Sequence, residues 1–295
     1  MSDIVERITE VFTAAGARGF VHAREVGVAG GAEVSVGADE PVVLASVFKI
    51  PVAVAYAREV AAGRLDETER TVVTARYRIG GIGTAGSADD VEMSWRDLAR
   101  FMMIMSDNAA TDVIYQRVGQ AAIDAVLSDL DLRRTRLIGD CQGLFDSAYA
   151  ELDMDGLDLE QGFAQLPPEL VWKLSIVDPE RTTSSIPREI TALLDAVWTD
   201  HAGPPEACER VRKIMAEQIW PHRLTSGFAS EVKLAAKTGT LPAVRNEAGV
   251  ITYPDGRRYA VAVFTRAHTL DERLPAVDAS IGRAARLAVD HLRAG

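Results

Sequence analysis

Pro41-Val42-Val43-Leu44-Ala45-Ser46-Val47-Phe48-Lys49-Ile50-Pro51-Val52-Ala53-Val54 is the stretch on which the fold turns. The β-prone run from Pro41 to Leu44 gives way at Ser46 to a helical run that continues to Ala62. A serine at a helix start sits at the positive end of the helix dipole, among backbone N–H groups that have no partner inside the helix. Lys49 follows three residues later, one turn up on the same face. The spacing predicts that its amine reaches the Ser46 hydroxyl. A neutral lysine so placed takes the hydroxyl proton as the oxygen attacks. Neutrality near pH 7 requires a fall of about three pKa units, which burial and neighbouring cations supply. By itself Ser-x-x-Lys also describes an ordinary helix-capping serine followed by a surface lysine.

Two further stretches have chemistry to offer. Ser106-Asp107-Asn108 lies between helical runs at Trp95 to Met105 and Thr111 to Val118, where such residues also serve as caps. Lys237-Thr238-Gly239-Thr240 ends the strand-like run Val232 to Ala236. Gly239, having no Cβ, leaves room for a substrate to run alongside the strand with backbone pairing. The bland alternative is a turn after a strand.

Outward from these segments the chain reads as two kinds of structure. Gly19 to Val26 and Ala32 to Val36 form a predicted hairpin across Gly30-Gly31. Val232 to Ala236, Ala248 to Tyr253 and Arg258 to Thr265 are strand-like, with Pro254-Asp255-Gly256 as a turn. Helical periodicity marks both ends: Ile4, Ile8, Val11 and Phe12 at the start, and Leu274, Val277, Ile281, Ala285, Ala288 and Leu292 at the finish. Between about residues 46 and 220 strand signals are weak. Helical runs appear at Phe48 to Ala62, Trp95 to Met105, Thr111 to Val118, Ala121 to Leu130 and Ile186 to Trp198. The expected fold is therefore α/β in the α+β sense: an antiparallel five-stranded sheet flanked by the terminal helices, with a large all-helical insert. Residues 1–44 and 222–295 form the sheet domain and 45–221 the helical one, and the seam between them is where a pocket is expected.

Ser-x-x-Lys, Ser-Asp-Asn and Lys-Thr-Gly in this order, at a helix start, an interhelical loop and a strand end, are the signature set of the penicillin-recognising serine enzymes. Ser46 and Ser106 stand 60 residues apart. Gly63-Arg64-Leu65-Asp66 and Leu241-Pro242-Ala243-Val244-Arg245 add to the likeness. The sequence resembles, over nearly its whole length, a class A β-lactamase-like serine hydrolase of the β-lactamase and penicillin-binding-protein superfamily. That resemblance implies roles. Ser46 is the acylated nucleophile, Lys49 its proton acceptor, and Ser106 the relay to the leaving nitrogen. Asn108 donates to the acyl side chain, and Lys237 supplies positive charge beside Ser106 and the substrate carboxylate. Thr238 and Thr240 bind that carboxylate around Gly239, and the N–H groups of Ser46 and Thr240 form an oxyanion hole. Arg245 is either a second cation for the carboxylate or the partner of an ordinary ion pair, for instance with Glu247.

One departure matters. The family carries a Glu-x-x-Leu-Asn motif whose carboxylate activates the water that clears the acyl-enzyme. The corresponding stretch here, Ile138-Gly139-Asp140-Cys141-Gln142-Gly143-Leu144-Phe145, has no such motif. Lys237 also follows Ser106 by 131 residues, longer than that pattern expects. The surplus falls in an acidic stretch, from Leu137 to Trp172, with eight acids and no Lys or Arg. Asp140 is the nearest carboxylate to the expected place, one methylene shorter than Glu. It is a candidate water-activating base or simply a cap on the next turn. Glu151 and Asp153 are further candidates. Cys141 has no histidine close in sequence to support it as a second nucleophile. Asp153, Asp155 and Asp158 hint at calcium, but Asp158 stands where an EF-hand loop needs glycine.

Composition closes off other classes. The chain has 295 residues, 47% hydrophobic and 25% charged, with a net charge of −11. A chain of 31.8 kDa exposes about 12,000 Å² folded against about 46,000 Å² unfolded, so a core forms without metal or disulfide staples. The negative charge disfavours nucleic acid. Two cysteines, Cys141 and Cys208, make no disulfide framework, and the five histidines have no metal spacing. The expected cofactor set is empty and the expected partner a small-molecule substrate, with oligomeric state left open. No apolar run is long enough for a membrane span, and the acidic amphipathic N-terminus lacks a secretory pattern, so a cytoplasmic address is expected. The leading function is a serine hydrolase acting through an acyl-enzyme on an amide, lactam or ester, with altered deacylation. The alternative is a binding protein that captures a lactam or peptide-like acid in the same cleft without turnover.

Overall fold

The two ends of the chain meet in one antiparallel sheet. In the computed structural model, which describes residues 2–152 and 166–295, helix α1 (Ser2–Ala14) leads into β1 (Ala17–Glu25) and β2 (Glu33–Val36). The sheet is completed by β7 (Lys233–Leu241), β8 (Val244–Thr252) and β9 (Arg258–Ala267), in the spatial order β2-β1-β9-β8-β7. Every pairing in it is antiparallel, with Phe20 opposite Phe264 and Lys237 opposite Ala248. The expected fold class is the observed one.

The sheet buries both faces. On one, Ile4, Ile8 and Phe12 of α1 and Ile281, Ala285, Val289 and Leu292 of α10 (Pro275–Ala294) pack against Val21, Val261 and Val263. Contact is close enough that a Cβ on Gly19 would stand 2.1 Å from the Phe12 ring, which explains glycine there. The other face carries Phe20, Ala248, Ala260, Ala262 and Phe264 into the main core with the helices. Each large side chain so buried is worth about 1.5–3 kcal/mol of transfer free energy.

The intervening chain forms α2 (Lys49–Ala61), α3 (Trp95–Ile104), α4 (Asn108–Val118), α5 (Gln120–Asp129), α6 (Cys141–Leu152), the single turn α7 (Pro168–Val171), α8 (Pro187–Trp198) and α9 (Pro205–Ala216). Three differences from the sequence reading stand out. The insert is not all-helical: β4 (Arg70–Val73) pairs with β5 (Val91–Ser94), and β3 (Val42–Val43) with β6 (Ser184–Ser185). Two- and four-residue strands are too short to register as alternation. The helices α6 and α9 are additional. Leu144, Ala148 and Leu152, and likewise Ala207, Val211 and Met215, recur at steps of four and pack inward beneath a charged surface that hid them. Finally, Lys237 to Thr240 lie inside the edge strand β7 rather than beyond its end. Asp153, Asp155 and Asp158, the calcium hint, lie outside the described residues. Among the described residues no helix is long and apolar enough to cross a membrane.

Candidate active site

Ser46 sits on a 3₁₀ turn, Ala45–Phe48, that precedes α2. Its local backbone is unusual, for Ala45 has φ 46°, a conformation L-residues rarely adopt. Such strain persists only where the surroundings over-determine it. Here Asn246 of β8 is completely buried, and its Nδ2 donates to the Val43 and Leu44 carbonyls at 2.8 and 3.2 Å. The Leu44 N–H donates to the Thr183 carbonyl at 3.2 Å. Gly239 lies directly below, where a Cβ would stand 2.7 Å from the Leu44 carbonyl oxygen. Glycine at 239 therefore admits the turn that carries Ser46; the room expected for substrate is taken by this turn.

Lys49, on the first turn of α2, is completely buried. Its Nζ donates to the Ser106 carbonyl (2.8 Å) and to Asn108 Oδ1 (2.9 Å) and lies 3.3 Å from Ser106 Oγ. The hydrogen bonds of this amine thus run to the Ser106 segment and not to the Ser46 hydroxyl predicted from helix spacing. Ser106 has φ 67° and is a second strained position in the crevice wall. The turn is held by Asp107, completely buried, which caps α4 through Ala110 N–H (3.0 Å) and receives both the N–H and the hydroxyl of Thr84 (2.5 and 2.7 Å). Burial pushes the Lys49 amine below the ordinary lysine range, although Cys141, Asp112 and Asp107 oppose the shift.

The facing wall is β7. Lys237 is completely buried and its Nζ donates to the Thr238 carbonyl at 2.9 Å. Burial first and the Lys49 charge second push it well below the lysine range. Thr238 and Thr240 line the crevice. The Thr238 N–H donates to Gln218 Oε1 at 3.0 Å, off the sheet edge. Alternation along a strand turns the Thr240 N–H toward the same open edge. Gln218 in turn donates to Glu247, whose other oxygen accepts the Leu224 N–H at 2.6 Å. This chain fastens residues 218–224 across the mouth of the site.

Those residues include a cation that sequence reasoning missed. Arg223 is buried, lines the crevice and donates to Thr240 Oγ1 at 2.9 Å. It is aimed by Asp278 (2.7 Å) and by the Gly239 and Asn246 carbonyls (each 2.9 Å). Arg245 behaves differently. Its guanidinium donates to the carbonyls of Leu241, Val244 and Glu272, and it lines a neighbouring cavity of about 660 Å³ rather than the crevice. Glu247 is not its partner. No motif surrounds Arg223, and nothing in the sequence around it marks it as part of the site.

Ser46, Ser106, Asn108, Thr238, Thr240 and Arg223 thus share one crevice of about 320 Å³, bordered by Trp220, His222 and the exposed Ile82. A profile of the Beta-lactamase enzyme family matches residues 3–292. The chain belongs to the beta-lactamase enzyme family. Among characterised relatives it is 28% identical over 288 residues to the beta-lactamase regulatory protein BlaB of Streptomyces cacaoi, covering 89% of each chain. Its fold matches a beta-lactamase from Sphaerobacter thermophilus with a TM-score of 0.78 at 24% identity, over 100% of this chain and 98% of that one. PBP-A matches with a TM-score of 0.78 at 19% identity, over 100% and 97% of the two chains.

Asp140, half-buried, accepts the Gly143 N–H (2.9 Å) and the Gln116 amide (3.1 Å), which is the geometry of a cap on α6. The side chain brought to the lysine is instead Cys141, whose Sγ–H donates to Asn108 Oδ1 at 3.5 Å, the atom that also accepts from Lys49. Asp112, completely buried, receives the N–H groups of Cys141 (2.7 Å) and Gln142 (2.9 Å). Burial, with Asp140 adding to it, pushes its carboxyl up to about 7. Glu151 is occupied elsewhere, accepting from Ser175 N–H and Arg181. Asp140→Asn is expected to leave release of any acyl group unchanged within about two-fold, because asparagine caps a helix as well as aspartate. Release slowed ten-fold or more, followed by intact mass, would return Asp140 to the mechanism.

Proposed function

We propose that the protein is a serine hydrolase that forms an acyl-enzyme with a small amide, lactam or ester bearing a carboxylate. The observation that carries this reading is the crevice shared by Ser46, Ser106, Thr240 and Arg223, with two buried lysine amines beneath it. A neutral Lys49 gives its two N–H bonds to the nearer oxygens, Ser106 O and Asn108 Oδ1, which leaves its lone pair for the third, the Ser106 hydroxyl at 3.3 Å. In the proposed step Ser46 Oγ adds to the substrate carbonyl carbon and its proton passes to Lys49, directly or through Ser106. The carbon–nitrogen or carbon–oxygen bond then breaks, and Ser106 hands a proton to the leaving atom. The N–H groups of Ser46 and Thr240 receive the developing oxyanion, where one donor is worth about 2.7–4 kcal/mol. Thr238, Thr240 and Arg223 hold the substrate carboxylate, with Lys237 as buried support behind them.

A second reading, capture without turnover, draws support from the commitment of Asp140 to a helix cap and from the likeness to a protein named as a regulator. Both readings require acylation at Ser46. Incubation with a chromogenic β-lactam, and separately with a nitrophenyl ester, is expected to add one acyl group to the peptide containing Ser46, read by intact mass and peptide mapping. Product formed in excess of protein favours hydrolysis; one equivalent retained on Ser46 favours capture. No adduct and no product with either probe would end the proposal.

A further inference from the structure

His222 lines the crevice beside Trp220 and Arg223, and no step of the acyl transfer above uses it. Its side chain is 45% exposed, so solvent protons and a substrate both reach it. The backbone beneath it is fixed. A Cβ on Gly282 of α10 would stand 2.5 Å from the Arg223 carbonyl oxygen, so this stretch is seated directly on that helix. Trp220 packs edge-to-face against the imidazole, with ring centroids 6.1 Å apart at 84°. The charged groups that face the ring are Asp278 of α10, with Oδ1 4.0 Å from Nε2, Arg223 next in the chain, and Arg245 of β8.

Arg223 alone leaves a substrate carboxylate short of donors and of charge. All but one of its N–H bonds are engaged: Nε with Asp278, Nη1 with the Gly239 and Asn246 carbonyls, and Nη2 with Thr240 Oγ1. Its charge is met by Asp278 at 2.7 Å. A carboxylate offers about four acceptor positions, more than the remaining N–H and the threonine hydroxyls fill. Apart from Arg223, His222 is the ionisable side chain among the described residues that line the crevice. Burial first, then the Arg223 charge, hold its proton affinity below the ordinary histidine value of 6.5, while Asp278 works the other way. Its change of charge therefore falls on the acid side of neutrality.

We propose that His222 is a specificity-determining residue whose imidazolium joins Arg223 as a second cation at the carboxylate end of the crevice, so that selection of an acid over its neutral analogue strengthens as the medium acidifies. The inference rests on the acylation reading above and adds a regulation of that same site. His222 enters no bond-making step. Its state of charge acts on which substrate is taken and not on the chemistry that both substrates share.

The test compares a chromogenic β-lactam carrying a free carboxylate with the methyl ester of the same lactam. The ratio of their second-order rates of Ser46 acylation is followed by intact mass between about pH 8 and pH 5, where the carboxylate stays ionised. Lys49 acts on both compounds, so its own titration cancels in the ratio. In the native protein the ratio is expected to rise about five-fold as pH falls, the upper end of what one exposed ion pair contributes. His222→Gln is expected to hold the low ratio at every pH, and His222→Lys, a cation throughout, the high one. Should the glutamine variant fail to fold, His222→Asn takes its place. A native ratio that does not change with pH would overturn the inference. So would a rise that survives in the folded, uncharged variant, or a His222→Lys ratio at the alkaline end no higher than the native one. Failure of both lactams to acylate the native protein at any pH would instead remove the reading beneath it, and the mass spectrum tells these outcomes apart.

Discussion

Replacing Lys49 with methionine is expected to slow acylation of Ser46 by about a thousand-fold, within the range that a positioned general base contributes. Methionine has nearly the length of lysine and no charge to bury, so the site need not collapse. The completely buried amine is costly to hold as an ammonium, and its apolar replacement is expected to leave thermal stability equal or higher. Loss of rate with gain of stability separates a chemical role from a structural one. The pH profile gives a second readout. In the native protein the acylation rate should rise with pH as Lys49 loses its proton. Because burial lowers its pKa, that limb falls below the ordinary lysine value of about 10.4. Lys49→Met should lose the limb. The sign for stability is consistent: a depressed lysine pKa means that folding is penalised where the unfolded chain binds the proton, so the penalty lifts as pH rises toward the unfolded value. A variant that acylates within ten-fold of the native rate would remove Lys49 as the base.

Arg223→Gln is expected to reduce acylation by a carboxylate-bearing lactam about 100-fold relative to a neutral nitrophenyl ester. Arg223 also braces the Gly239 and Asn246 carbonyls and pairs with Asp278, so some loss will be structural. A structural loss falls on both substrates; the ratio isolates the charge. Charge-assisted hydrogen bonds are worth about 1.5–3 kcal/mol each, which is enough for the ratio predicted. Arg245→Gln should move the ratio little, since its donors are spent on the carbonyls of Leu241, Val244 and Glu272. If the ratio falls with Arg245 and not with Arg223, the carboxylate subsite lies in the larger neighbouring cavity.

Much of the site was legible in the chain. Ser46, Lys49, Ser106, Asn108, Lys237, Thr238 and Thr240 stood out because they fall in three short motifs of fixed spacing, and the folded chain brings Ser46, Ser106, Asn108, Thr238 and Thr240 to one crevice with Lys49 bonded to Ser106. Local propensity then said which kind of element carried each group. What local reasoning misjudged was direction. Helical spacing put the Lys49 amine within reach of Ser46; in the fold its hydrogen bonds run to Ser106 and Asn108 of the next segment, while Ser46 lines the crevice from a 3₁₀ turn entered through the positive-φ Ala45. Gly239 carried the expected absence of a side chain, but the space serves Leu44.

The split sheet and helical middle followed from periodicity and turn chemistry, which depend on neighbours in sequence. The candidate pair Ser46 and Lys49, and the absence of a Glu-x-x-Leu-Asn stretch, were read instead from short motifs and the family resemblance they carry. Arg223, Asp112 and Cys141 belong to the tertiary structure. Arg223 is aimed by Asp278, and its segment is fastened through Gln218 and Glu247; Cys141 is pinned by Asp112, 29 residues earlier. Contacts across such separations leave no periodic trace. They exist because buried charges and backbone N–H groups had to find partners wherever the packed chain offered them.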